Sequence, residues 1–309
     1  TTEIYTLSLH DALPILAFFA LFVLAACNPG TGEKSSPVSY TDGLGRTITL
    51  DKTPQRIISL AASNTEVLFA VGAKEQVVGR DEFSNYPVEV ENLPSVGGSM
   101  GNYSIEQIIA LEPDLLLAAE INTPEQIKSF EELDLPVYYL ANPKDLDGLY
   151  ANLLTIGKIT GNEKTASELV ASLKERVAKV QKMEQPANPI PVFYELDGSD
   201  PTKPWTPGKG TYLDLLLTMA GGENIGSIAG DGWLQISQEA IIAANPQVIL
   251  LGDAAYGITP EMVAERSGWD QISAIKDGRV LPFDDNLVSR PGPRLVDGLE
   301  QLANILRQQ

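Results

Sequence analysis

The chain has 309 residues, 43% of them hydrophobic, with 22 Lys+Arg against 41 Asp+Glu and a net charge of −19 at pH 7. That balance repels nucleic acid and anionic lipid, which argues against DNA binding and a polybasic membrane anchor, and it favours solubility. The single histidine, His10, and the single cysteine, Cys27, both lie near the start, which excludes Ser-His-Asp and Cys-His nucleophilic machinery and the usual nitrogen and sulfur zinc sites from the rest of the chain.

Thr1 to Pro14 contains no Met, Lys or Arg and carries Glu3 and Asp11, so it is expected to be a non-native start. Ile15 to Leu24 is an apolar run too short for a bilayer, which needs about 20 residues. It ends in Leu24-Ala25-Ala26-Cys27, the pattern of an export signal cut before a lipid-carrying cysteine; a buried core cysteine is the bland alternative. Residues 1–26 are therefore expected to be a signal peptide. Residues 27–39, rich in Gly, Pro, Ser and Thr, are expected to be a flexible tether. Without residues 1–26 the chain keeps 22 basic against 39 acidic residues, a net charge of −17. About 280 residues suffice for two domains of ordinary size.

After the tether, Val38 to Tyr40 and Arg46 to Leu50 flank Asp42-Gly43-Leu44-Gly45 and read as a hairpin. Arg56 to Leu60 reads as a strand, and Thr65 to Val71 as a helix closed by Gly72. Helix Ser104 to Ala110, strand Leu115 to Ala118, helix Pro124 to Leu133 and strand Val137 to Leu140 follow. Glu163 to Met183 carries apolar residues at Ala166, Leu169, Leu173, Val177 and Val180, a helix of about 30 Å at ~1.5 Å per residue. A second alternating block runs through strand Ile190 to Leu196, helices Tyr212 to Ala220 and Ser237 to Ala244, strands Val248 to Leu251 and Val280 to Phe283, and helix Leu295 to Arg307. Strands separated by helices predict mainly parallel sheets.

The two blocks repeat one another. Ser104-Ile105-Glu106-Gln107-Ile108-Ile109-Ala110-Leu111-Glu112-Pro113-Asp114 is matched 133 residues later by Ser237-Gln238-Glu239-Ala240-Ile241-Ile242-Ala243-Ala244-Asn245-Pro246-Gln247. Each copy runs from a Ser cap through a short helix to a proline and then an apolar strand. The fold class is thus α/β: two Rossmann-like lobes, residues 40–144 and 188–309, joined by a helical connector, residues 145–187, that includes one long rigid helix.

Further segments carry a resemblance: Thr53-Pro54-Gln55-Arg56-Ile57-Ile58-Ser59-Leu60, Ser63-Asn64-Thr65-Glu66, Leu93-Pro94-Ser95-Val96-Gly97-Gly98, Ala110-Leu111-Glu112-Pro113-Asp114 and Ala220-Gly221-Gly222-Glu223-Asn224. In this order, behind a lipobox, they resemble the solute-binding proteins of ABC importers for iron–siderophore complexes and cobalamin, over about residues 40 to 307. The resemblance implies a non-catalytic, monomeric, lipid-anchored receptor on the extracytoplasmic face, periplasmic or outer. It also implies a ligand held between the lobes, with Phe83, Met100, Trp205 and Trp233 on the facing loops.

Rigid aromatic surfaces suit a flat chelate because they lose little entropy on ordering; the alternative for each is a plug in its own lobe's core. Met100 stands where cobalamin-binding members place an aromatic. Arg290 and Arg294, fixed by Pro291, Gly292 and Pro293, could hold an anionic group bidentately, or Arg294 could pair with Asp297 and leave Arg290 a surface charge. Glu106 and Glu239 suit helix N-termini on dipole grounds alone, and the resemblance adds docking to arginines of the two permease subunits.

Two motifs fail. Gly208-Lys209-Gly210-Thr211 lacks the glycine and hydroxyl spacing of a phosphate loop, and Gly97 to Gly101 lacks the strand and ribose-binding acid of a dinucleotide site. No catalytic residue, metal ligand or cofactor site is assigned. The expected ligand is a metal chelate, a corrinoid in preference to a ferric siderophore or haem. The alternative from a different class is an exported carboxylate-dependent enzyme acting on glycans, which needs two carboxylates about 5–10 Å apart across the cleft.

Overall fold

A computed structural model describes residues 37–98 and 101–307. The expected signal peptide, Cys27, the expected tether up to residue 36 and Met100 lie outside the described residues. Strand β1 (Val38–Thr41) pairs antiparallel with β2 (Thr47–Leu50), the expected hairpin. Buried Asp42 holds the turn: its Oδ1 accepts from the backbone N–H groups of Leu44 and Arg46 at 2.9 Å, and its Oδ2 pairs with Arg46 at 2.6 Å.

The first lobe contains β3 (Ile57–Ser59), α1 (Ala62–Ala70), β4 (Val77–Arg80), α2 (Ile105–Ala110), β5 (Leu115–Ala119), α3 (Pro124–Glu131) and β6 (Val137–Leu140). Next come α4 (Leu146–Thr160) and α5 (Glu163–Lys182). The second lobe holds β7 (Ile190–Glu195), β8 (Trp205–Pro207), α6 (Tyr212–Ala220), β9 (Gly222–Asn224), β10 (Trp233–Gln235), α7 (Gln238–Ala244), β11 (Val248–Leu251), α8 (Pro260–Ala264), α9 (Ser273–Lys276), β12 (Val280–Pro282) and α10 (Leu295–Arg307).

Each lobe has a four-stranded parallel sheet, ordered β4-β3-β5-β6 and β9-β7-β11-β12. Counted along the chain, both orders are second, first, third, fourth. The sequence repeat enters the third strand of each. Ser104 and Ser237 cap α2 and α7, their Oγ atoms accepting from the N–H groups of Gln107 and Ala240 at 3.3 Å. Glu112 and Asn245, at the same repeat position, both turn left-handed, with φ of 44° and 49°.

Strands buried on both faces read as unbroken apolar runs, as parallel sheets do, and alternate residues then feed different cores. Ile57, Leu115 and Leu117 of the first sheet and Val192, Val248 and Leu250 of the second belong to one continuous cluster with the inner faces of α4, α5 and α10. Ile58, Leu116 and Ala118 pack into a separate core on the far side of the first sheet, and Phe193, Ile249 and Leu251 into another beyond the second. The lobes therefore share one core while each keeps its own.

Helix α5 buries Ala166, Val170, Leu173, Val177 and Val180, and its Arg176 pairs with Asp297 at 2.5 Å and Glu300 at 2.6 Å on α10. It is not a free rod, because α4, the other part of the helical connector, packs along it. Gly148 and Gly157 depress helix propensity there, but at Gly157 a Cβ would collide with the Cβ of Ala166, so close packing of the two helices requires the glycine.

Candidate functional site

In open parallel sheets ligands bind beyond the carboxyl ends of the strands, and here residues just past those ends line three adjoining cavities. One of about 380 Å³ takes Ser63, Phe83 and Ile121 from the first lobe and Tyr256, Asp285 and Arg290 from the second. A neighbour of about 360 Å³ shares Ile121, Asn142 and Ser289 with it and adds Tyr212 and Trp233. A third, about 610 Å³, lies against the second lobe; it shares Tyr256 and Asp285 with the first and Leu196 with the second, and adds Trp205 and Asp253. Together they form a cleft between the lobes.

Large apolar side chains stay open around it: Phe83 is 50% exposed, Ile121 69%, Trp205 41%, Trp233 39% and Tyr256 88%. Neither tryptophan plugs a core; that role falls to Trp269, which is fully buried. The two stand not in the expected loops but on a two-stranded antiparallel ribbon, β8 with β10, which pairs Gln235 with Trp205 and Pro207 with Trp233. Trp233 also meets Tyr212 edge to face, with ring centroids 5.6 Å apart.

Phe83 is fixed from behind. Asp81, buried, accepts from the Phe83 N–H at 3.0 Å and from the Ser84 hydroxyl; Ser84 meets Thr65 at 2.6 Å, and Thr65 donates to Ser59 at 2.8 Å. Burial pushes the Asp81 carboxyl above its usual range. Tyr103 donates to the Leu60 carbonyl at 2.8 Å and accepts from Asn122 at 2.7 Å. Burial pushes its phenol up to about 12, so it stays a neutral donor.

A two-lobed α/β cleft of this build now has a counterpart among known families. The model described as periplasmic binding protein matches residues 57–287. The chain belongs to that family. It is 33% identical over 305 residues to the uncharacterized ABC transporter substrate-binding lipoprotein YvrC of Bacillus subtilis, covering 92% of this chain and 93% of that protein. The crystal structure of the periplasmic vitamin B12 binding protein BtuF of Vibrio cholerae superposes with a TM-score of 0.71 at 26% identity, covering 83% of this chain and 99% of that one. The periplasmic heme-binding protein RhuT of Roseiflexus superposes with a TM-score of 0.73 at 28% identity, covering 82% and 97%.

The family is one of binding proteins, and the glycan-enzyme reading is set aside: this chain is not an enzyme. Asp81 and Asp285 do line the same cavity, but each is engaged, Asp81 by Ser84 and Asp285 by the Tyr194 hydroxyl at 2.7 Å.

The remaining expected residues divide. Phe83, Trp205, Trp233 and Arg290 border the cleft. Arg294 does not; it lines a separate cavity of about 320 Å³ with Phe69, Tyr86 and Leu173. Its Nε and Nη2 donate to Glu66 at 2.8 and 2.5 Å, and its guanidinium lies 4.1 Å from the Tyr86 ring centre. Asp297, its alternative partner, is taken by Arg176. Arg290 reaches Glu66 at 3.2 Å and donates to Asn85 Oδ1 at 2.8 Å and to the Phe83 carbonyl at 3.3 Å.

Glu106 and Glu239 are exposed in the first turns of α2 and α7. Hydrogen bonds from its own N–H and from Ser237 hold the Glu239 carboxyl below its usual range. Ile121, Asn142, Asp253 and Tyr256 went unread in the sequence, although all but Tyr256 stand two residues past the end of an apolar strand.

Proposed function

We propose that this chain captures a corrinoid in the interlobe cleft and delivers it to the permease of an ABC importer. The observation that carries the reading is the set of open apolar side chains, Phe83, Ile121, Trp205, Trp233 and Tyr256, at the carboxyl ends of both sheets. Such surfaces bind a large rigid ring with little loss of side-chain entropy. A corrinoid brings its own equatorial and lower axial ligands, so it asks no metal ligand of the protein. Among the described residues no group of three or more His, Cys, Asp or Glu could hold a metal ion.

One observation favours haem as the second reading. Haem iron takes an axial ligand from the protein, and tyrosine is one of the side chains that serves; Tyr256 is the most open tyrosine of the cleft. Native mass spectrometry of residues 27–309 mixed with cyanocobalamin, haem and several ferric siderophores tests the choice. Retention of cyanocobalamin is expected, and retention of haem alone, lost in Tyr256→Phe, would replace the corrinoid reading.

Two further parts belong to the proposal. Lipid on Cys27 holds the protein to the membrane, and Glu106 and Glu239, one per lobe on equivalent helices, meet the two permease subunits. Among the described residues no helix is long and apolar enough to cross a membrane. Cys27→Ser should leave the fold intact and release the protein into the soluble fraction, because a single unmodified apolar leader holds weakly compared with several acyl chains. Retention of the variant through salt and carbonate washes would count against lipidation.

A further inference from the structure

The largest of the three cavities has a chemistry that the aromatic surfaces do not explain. Asp197, Asp253 and Asp285 line it, and no Lys or Arg does. Asp253 is only 4% exposed, and its Oδ2 accepts from the Gly198 N–H at 2.7 Å. Its Oδ1 has no partner; among the described residues only one other buried side-chain polar atom, Trp269 Nε1, is left in that state.

The neighbouring base is committed elsewhere. Arg266 donates to both oxygens of buried Glu195, at 2.5 and 2.8 Å, lies 4.7 Å from the ring centre of Trp269, and gives no hydrogen bond to Asp253. The 197–199 loop crosses directly over this pair, and a Cβ at Gly198 would collide with Glu195 Oε1. The loop thus covers Glu195 and leaves Asp253 as the buried carboxyl lining the cavity. A buried carboxylate oxygen without a donor is costly, and a ligand that supplies a donor recovers that cost only when bound.

We propose that the Asp253 end of the cleft is a subsite for a hydrogen-bond-donating arm of the ligand, in a corrinoid a peripheral primary amide, and that it selects amide-bearing against carboxylate-bearing ligands. This rests on the corrinoid reading above and adds the group that reads the ring's periphery. An amide N–H satisfies Asp253, with Asp197 and Asp285 making the surroundings favourable to the positive end of the dipole. A carboxylate in the same place would meet three acids and no base.

The test compares cyanocobalamin with its three monocarboxylic acids, each carrying one peripheral amide hydrolysed, by titration calorimetry on wild type, Asp253→Asn and Trp205→Ala. Wild type should bind at least one monocarboxylate tenfold or more weaker than cyanocobalamin. In Asp253→Asn that gap should shrink below threefold, whereas Trp205→Ala should weaken all four ligands by a similar factor and leave the gap intact. Asp253→Ser, smaller and uncharged, gives the same comparison should Asp253→Asn fail to fold. Equal binding of all four ligands by wild type, or a gap that persists in both Asp253 variants, overturns the subsite alone. If wild type binds no corrinoid, the corrinoid reading falls and takes the subsite with it.

Discussion

Arg294 and Glu66 form a two-point ion pair across the lobes, Nε to Oε2 at 2.8 Å and Nη2 to Oε1 at 2.5 Å, with the carboxylate fully inside the protein. Arg290 adds a third contact to the same carboxylate. Glu66 belongs to α1 of the first lobe and both arginines to the segment before α10 of the second, so one acid ties the lobes together.

Removing that acid leaves two largely buried guanidinium groups uncompensated. Glu66→Ala should lower the unfolding free energy by about 3–5 kcal/mol, the range for breaking a buried pair from one side, as measured by urea denaturation. Arg294→Met should destabilise while keeping ligand affinity within about threefold. A variant of Arg294 that folds with unchanged stability but loses ligand would return this residue to the cleft.

The shared core and the α4–α5 pair leave little room for hinge motion. Radius of gyration, about 19 Å for a compact chain of this size, should change by less than about 1 Å on ligand binding, as in other pre-organised binders. Small-angle scattering with and without ligand measures it, and a contraction of several ångströms would contradict rigid coupling through the core.

Glu106 and Glu239 should matter for delivery and not for capture. Reversing both to Lys should leave ligand affinity within about threefold, under ~1 kcal/mol, while uptake in a cell carrying the cognate importer collapses and each single reversal gives partial loss. Normal transport by the double variant would reduce both to helix-terminus charges; lost affinity would mean that the ligand sits nearer α2 and α7 than the cleft described above.

Stability should depend on pH through Asp253. Burial, and then the charge of Glu195, push its carboxyl up to about 6. The folded state therefore holds this proton more tightly than the unfolded chain, and the cost of the ionised form, present above that value, disappears as pH falls toward the ordinary carboxylate range. From about pH 7.5 to 5 the wild type should gain about 1 kcal/mol relative to Asp253→Asn. Thermal melts of both proteins across that range decide it, and parallel curves would show that Asp253 titrates normally.

Local chemistry was enough to read much of the fold. Short unbroken apolar runs such as Val248–Leu251, bounded by proline and glycine, read as strands buried on both faces, and Ser104 with Pro113 and Ser237 with Pro246 mark a repeated helix that leads into the third strand of each sheet. Open aromatics at Trp205 and Trp233 were legible because their neighbours lack any apolar period. The bounds of helix α4 were not, since Gly157 carries its meaning only where Ala166 of α5 packs against it.

Tertiary structure alone decided what each charge does. Nothing in the order of residues places Arg294 opposite Glu66, 228 positions away, or leaves Asp253 beside an arginine already taken by Glu195. The sequence by itself determined most of the helices and strands, the repeat and the absence of thiol and imidazole chemistry beyond Cys27, because these depend on neighbours within a few residues. The partners of buried charges depend on which strand ends meet across the cleft, and that is set only when both lobes close on their shared core.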